Sequence, residues 1–276
     1  MAIQRLELVS FRNHDKKEFN FIPGLTGIWG ENGSGKTAVL EAIHTLSFGR
    51  SFRTHKQRDL IRSCDDTLVV RGGFSINGHT DEVAAQETKS FGQKLKLNGK
   101  ILTGRKELIG RNNVVVLSPE EQSVTKGAPL ERRQFFDKMF SVTSREYVDL
   151  LQTYNRVLKQ RNAAIQQVRE NRRPTEDIQH WDEQITKTGQ ALWELRFDFM
   201  NDFKTYLQSI IERYDTGIRL ELGYLKTAPD IDSYQAMIKE SLKKDIALGR
   251  TTIGPHRDDI SLIWDDRDLR SFGSQG

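Results

Sequence analysis

Gly30-Glu31-Asn32-Gly33-Ser34-Gly35-Lys36-Thr37 fills every fixed position of the G-x-x-x-x-G-K-[ST] phosphate loop. The residue types dictate the chemistry. The glycines let successive backbone N–H groups turn toward one point, the Lys36 ammonium can reach the β- and γ-phosphates of a nucleotide, and the Thr37 hydroxyl can ligate Mg2+. At average amino-acid usage the four constrained positions coincide by chance in about one chain in a hundred of this length. Context therefore decides between a phosphate cradle and a Gly-rich turn that holds nothing. Leu25 and Gly27-Ile28-Trp29 can end a short buried strand. Beyond the loop, Val39, Ala42, Ile43 and Leu46 fall at i, i+3, i+4 and i+7, which predicts a helix from Ala38 to Phe48 closed by Gly49. In a strand, loop and helix sequence the positive end of the helix dipole adds to the inward-turned amides.

The 276 residues can form one large or two modest domains. A hydrophobic fraction of 36% and a mean hydropathy of −0.60 are low for a compact globule and predict exposed helix. The net charge of +4 is concentrated. Residues 1–62 carry ten Lys/Arg against six Asp/Glu and residues 126–173 eleven against five, so these segments contribute +4 and +6 and leave the remainder at −6. Such patches suit a polyanion partner. Cys64 is the sole cysteine, which excludes an internal disulfide and a cysteine-rich zinc site and points to a reducing compartment. No apolar run near twenty residues occurs, so membrane insertion is not indicated and the chain is expected to be cytoplasmic.

Alternation over Ile3–Val9 predicts an opening strand, with a second near Glu18–Ile22. After the helix comes a basic stretch, Gly49 to Arg58, with Phe52 embedded in it; a solvated loop and a phosphate contact are both open there. Asn77-Gly78 and Asn98-Gly99, set between apolar alternations, predict hairpins with type I′ turns. Val114–Leu117 reads as a buried strand, and Ser118-Pro119-Glu120-Glu121-Gln122 after it could hold a metal-bound water. Three-four spacing from Tyr147 to Val168 and again from Ile178 to Ile210, broken at Arg172–Thr175, predicts two antiparallel helices, a projecting hairpin on account of polar residues such as Lys159, Gln160 and Arg161. Ile218–Leu225 and Ile260–Trp264 read as strands flanking helix within Ile231–Leu248.

In their order along the chain, several of these features carry a resemblance. Phe11-Arg12-Asn13, Gly30–Thr37 with Leu40-Glu41-Ala42-Ile43, Gly49-Arg50-Ser51-Phe52-Arg53, Leu117-Ser118-Pro119-Glu120, Lys126-Gly127 with Arg132-Arg133-Phe135, Gly254-Pro255-His256-Arg257-Asp258-Asp259 and Ser274-Gln275-Gly276 together resemble the RecF family, SMC-like ABC-type ATPases of recombinational DNA repair. The resemblance implies an α/β fold, a P-loop ABC-type ATPase head with an inserted antiparallel helical arm. Residues 1–125 would be head lobe I, 126–214 the arm and 215–276 the start of lobe II, interrupted at the ABC signature. ATP and Mg2+ are the implied cofactors. Gly30, Glu31, Asn32, Gly33, Ser34, Gly35, Lys36 and Thr37 would bind nucleotide with Arg12 and Asn13 nearby. Thr37 and one of Glu120, Glu121 or Gln122 would face the metal, and Ser274, Gln275 and Gly276 would contact nucleotide on a second protomer.

Walker B and the catalytic carboxylate would follow Gly276, so the chain is expected to be C-terminally truncated and inactive in hydrolysis, the full-length family being slow ATPases. The family's implied partners are duplex DNA next to single-strand gaps, RecR and RecO, RecA indirectly, and a second copy in an ATP-dependent homodimer. Arg50, Arg53, Lys56, Arg58, Arg156, Lys159 and Arg161 are candidate DNA contacts. A noncatalytic ATP-binding scaffold, a P-loop kinase and an ABC transporter subunit are the alternatives. His256-Arg257-Asp258 does not make a kinase catalytic loop, because Ile263 stands where its Asn is required.

Overall fold

In a computed structural model of the chain, residues 2–76, 78–117, 123–214, 217, 219–227 and 230–272 are described. They fall into two compact units, Met1–Val116 and Leu117–Gly276.

The first unit is built on an antiparallel sheet ordered β2-β1-β3-β4-β5-β6. Its strands are β1 (Ala2–Phe11), β2 (His14–Asn20), β3 (Thr67–Ile76), β4 (His79–Thr88), β5 (Gly92–Leu97) and β6 (Lys100–Ile101). The two-residue period of a strand puts Leu6, Leu8, Leu68, Val70, Phe74, Val83, Ala85, Leu95 and Leu97 in the core, while Arg71, Lys94 and Lys96 between them are exposed. Helix α1 (Lys36–Phe48) packs on the strands β1, β3 and β4 through buried Ala38, Val39, Ala42 and Leu46. The helix comes so close to β3 that a Cβ at Gly72 would stand 2.6 Å from Leu46 Cδ1. Asn98 (φ 49°) and Gly99 (φ 81°) make the β5–β6 turn, both left-handed as a type I′ turn requires. The Asn98 side chain is itself engaged, donating to Asp81 (3.0 Å) and accepting from the Glu82 amide (2.8 Å).

Two expected strands do not form. Neither 25–29 nor 114–117 is in a sheet; Leu25 and Trp29 are 99% and 88% exposed, Val115 and Leu117 94% and 92%. An apolar run becomes a strand only when a neighbour satisfies its backbone, and among the described residues neither has one.

The second unit is mainly helical: α2 (Ser123–Lys126), α3 (Pro129–Thr143), α4 (Arg145–Arg169), α5 (Gln179–Tyr214), α6 (Ile231–Glu240), α7 (Leu242–Leu248) and α8 (Leu269–Phe272) accompany a three-stranded sheet of β7 (Leu220–Leu225), β8 (Asp259–Trp264) and β9 (Arg267–Asp268). Ser144 caps α4 by accepting the Tyr147 amide. Helices α4 and α5 form the expected pair around the Pro174 turn, but they are not set apart from the residues after 214. Tyr147, Tyr154, Ile185, Leu192 and Trp193 share one core with Leu222, Tyr234, Ile238, Ile260 and Leu262, and Leu242 and Ile246 cover Ala164, Ile165 and Val168. The expected boundary at 214/215 is thus not a boundary of packing. Along the second half of α5, Phe197 (50%), Tyr206 (72%) and Ile210 (48%) stand in solvent.

Gly254–Asp259 is pinned inside this unit. Asp258 accepts from Tyr224 Oη (2.6 Å), the Thr227 amide (2.8 Å) and Trp193 Nε1, and Arg196 holds the Pro255 carbonyl at 2.8 Å. His256 Nδ1 lies 2.6 Å from Tyr154 Oη, and burial pushes its pKa down from 6.5 to about 4 against the opposing bond to the Thr251 carbonyl. His256 is neutral in the fold but takes up a proton near 6.5 when unfolded. Its contribution to stability is therefore complete above pH 6.5 and is lost as the pH falls toward 4. Urea midpoints measured across that window should fall more steeply for the wild type than for His256→Gln, and equal slopes would show that His256 does not titrate on unfolding.

Candidate nucleotide site

The phosphate loop lies ahead of the first turn of α1. Gly30 (φ 148°), Gly33 (φ 84°) and Gly35 (φ 95°) adopt backbone conformations that other residues rarely take. Gly35 is required twice over, because a Cβ there would meet His14 Nε2 at 2.4 Å and Asn13 Oδ1 at 2.6 Å. Lys36 Nζ donates to the carbonyls of Gly30 and Glu31, both at 2.8 Å, which holds the ammonium over the loop. No acidic side chain occupies the first turn of α1, so nothing there neutralises the positive end of its dipole. Thr37 is exposed in that turn. Among the described residues no group of three His, Cys, Asp or Glu could hold a metal ion. A hard cation would here be held by the Thr37 hydroxyl together with ligand oxygens and water, the usual manner of Mg2+ at phosphates.

The β1–β2 turn braces the loop. Asn13 Nδ2 donates to the Gly33 carbonyl at 2.8 Å, and His14 Nε2 lies 3.2 Å from the Gly35 carbonyl. Arg12, expected beside the nucleotide, is bonded to the protein from the same turn. Its guanidinium makes a bidentate pair with Glu41 (2.9 and 2.7 Å) and donates to the Asp59 carbonyl at 3.0 Å. The bond to Glu41 holds the Arg12 pKa above its ordinary value. Glu41, fully buried on α1, also accepts Ser51 Oγ. Sequence reasoning did not single out Glu41 or His14 as part of the site; Glu41 stands off the stripe of Val39, Ala42, Ile43 and Leu46, so the helical period gave no sign of its burial.

A family model described as an AAA domain matches residues 5–247. The DNA replication and repair protein RecF of Lachnoclostridium phytofermentans is 31% identical over 277 aligned residues, covering all of this chain and 77% of that protein. RecF of Leptospira interrogans is 33% identical over 282 residues, again covering the whole chain and 76% of the relative. The chain belongs to the RecF family. The solved structure of the recombination mediator protein RecF-ATP in the RecFOR pathway matches it with a TM-score of 0.92 at 27% identity, over 99% of this chain and 76% of that one. The fold is accordingly that of an ABC-type P-loop ATPase head with an antiparallel sheet and a long helical arm.

Other site residues expected from the RecF resemblance divide into three groups. Glu120, Glu121 and Gln122, and Ser274, Gln275 and Gly276, lie outside the described residues. Arg50, Arg53, Lys56, Arg58, Arg156 and Lys159 are exposed. Arg53 stands 3.9 Å from Glu41; Arg50 reaches solvent, but protein crowded around its guanidinium, and after that the neighbouring charge of Arg105, lower its pKa. Arg161 cannot meet a DNA phosphate. It is fully buried, with its guanidinium on Asp182 (2.8 Å), Asp245 (2.7 Å) and Thr251 (2.7 Å). A run of polar residues on a long helix does not reveal which of them faces a neighbouring helix.

Removing Arg161 would strand the wholly buried Asp245 carboxylate. Arg161→Leu should therefore destabilise the protein by about 3–5 kcal/mol, whereas Arg156→Gln and Lys159→Gln should stay within about 0.5 kcal/mol. Urea denaturation of the three variants measures the contrast.

Proposed function

We propose that this RecF-family chain binds ATP with Mg2+ at Gly30–Thr37 and works in DNA replication and recombinational repair, on duplex DNA next to single-strand gaps, with RecO and RecR, helping to load RecA. The observation that carries this reading is the Gly30–Thr37 cradle, with Lys36 already held over it; the likeness to RecF-ATP supports the choice of nucleotide. In this reading the amides at the start of α1 and the Lys36 ammonium take the phosphate charge, and Thr37 supplies the protein's oxygen to the metal. A metal held there would supply charge neutralisation to the phosphates. A second copy would complete the site through Ser274, Gln275 and Gly276, which makes dimerisation depend on ATP.

The basic loop after α1 supports the DNA half of the reading. Desolvation and, after it, the nearby charge of Arg105 lower the Arg50 pKa, and among the described residues neither arginine has an ion-pair partner. An anion near them would relieve that repulsion, and a phosphodiester backbone offers it without base readout.

Lys36→Ala should remove a charge-assisted bond of about 1.5–3 kcal/mol, hence roughly ten- to a hundredfold in ATP affinity. Unchanged nucleotide binding would end the phosphate-loop reading. On gapped duplex DNA, affinity should fall linearly with the logarithm of salt concentration, more strongly with ATP present than without it. Arg50→Gln should lower that slope by about one. Salt-insensitive binding indifferent to ATP would leave only an ATP-binding scaffold.

A further inference from the structure

We propose that His14 is a positioning residue of the phosphate loop, which aims the Lys36 amide at the bound phosphate by holding the Gly35 carbonyl. The inference rests on the reading of Gly30–Thr37 as the nucleotide site and assigns a role within it to a side chain outside the motif.

The geometry starts from the peptide plane. In a trans peptide the C=O of one residue and the N–H of the next point in opposite directions. Whatever holds the Gly35 oxygen outward therefore turns the Lys36 N–H inward; the Ser34 N–H, on the peptide whose Gly33 oxygen Asn13 holds, is by contrast already taken by the Glu31 carbonyl at 3.2 Å. Lys36 opens α1, so its N–H has no intrahelical acceptor and is one of the donors a helix start leaves for a ligand. Gly35 O accepts the Val39 amide at 3.2 Å. His14 Nε2, at the same distance, is the second hold on that oxygen. A carbonyl has no hydrogen to give, so His14 carries its proton on Nε2 in this contact.

The imidazole can serve as a gauge because it cannot easily move. His14 is 8% exposed, its ring meets Phe19 edge-on at 6.1 Å, and it pairs with Phe11 at the closed end of the β1–β2 hairpin. The turn beneath it is fixed by the Arg12–Glu41 pair and by the bond from the Arg12 amide to the Leu60 carbonyl at 2.7 Å. The collision awaiting a Cβ at Gly35, 2.4 Å from His14 Nε2, shows that ring and loop are fitted against each other.

The test is the affinity of the wild type, His14→Ala and His14→Gln for ATP and for inorganic tripolyphosphate, with a thermal midpoint for each protein. Glutamine is the informative replacement, since its amide nitrogen can stand where Nε2 does and donate the same bond. His14→Ala should weaken ATP and tripolyphosphate alike by about three- to tenfold, the loss of one orienting hydrogen bond, and His14→Gln should return both to within about twofold of the wild type. Wild-type affinity in His14→Ala would overturn the proposal and leave the nucleotide site intact. Equal losses in Ala and Gln that follow the thermal midpoint would overturn it too, by showing a structural role only. If the wild type binds neither ligand, the nucleotide reading itself falls.

Discussion

Everything around the phosphate loop is anchored to the carboxylate of Glu41. It sits fully buried on α1 and receives the Arg12 guanidinium through two bonds and Ser51 through its hydroxyl. Ser51 Oγ in turn accepts the amides of Arg53 and Thr54. One charge therefore fastens two pieces of chain to the helix that begins at the loop: the β1–β2 turn that braces the loop, and the basic segment after the helix. A buried carboxylate is tolerable only with such partners, because an unpaired one costs several kcal/mol. The pair contributes placement more than net stability. It fixes the height of Asn13 and His14 above Gly33 and Gly35.

The second unit uses the same device repeatedly. Arg132, Arg161 and Arg196 are each 5% exposed or less. They close on Asp259, on Asp182 and Asp245, and on Asp137, respectively. Arg196 also touches Tyr147, Tyr224 and the Pro255 carbonyl. Apolar residues of matching volume would often stabilise such sites as well or better. What the planar, forked guanidinium adds is direction: each arginine admits its partner helix, strand or loop in one register, and this holds Gly254–Asp259 in place.

Features that depend on neighbours in the sequence were readable in advance. The phosphate loop, the stripe Val39, Ala42 and Leu46, and the Asn98-Gly99 turn are local, since their meaning lies in spacing and in backbone conformation. What depends on distant partners was hidden. Arg161 has the composition of a surface arginine, and the partners that bury it, Asp182, Asp245 and Thr251, stand twenty-one, eighty-four and ninety positions away. The bidentate hold of Glu41 on Arg12, twenty-nine positions apart, was hidden as well, since Glu41 lies off the stripe of Val39, Ala42 and Leu46. The runs at 25–29 and 114–117 have the hydrophobicity of strands, but a strand is a property of a pair of segments.

The Asn98-Gly99 turn bears on how the protein ages. Asparagine followed by glycine is the pair in which the next backbone nitrogen most readily attacks the side-chain amide and releases ammonia, leaving aspartate or isoaspartate. Here that amide is tethered between Asp81 and the Glu82 amide, so the side chain must leave both partners before it can turn to the attacking nitrogen. Deamidation at Asn98 must wait until the end of the hairpin opens. Its rate in a stored sample is therefore a slow clock for the opening of the β5–β6 edge, and the isoaspartate it leaves records how often that edge has come undone.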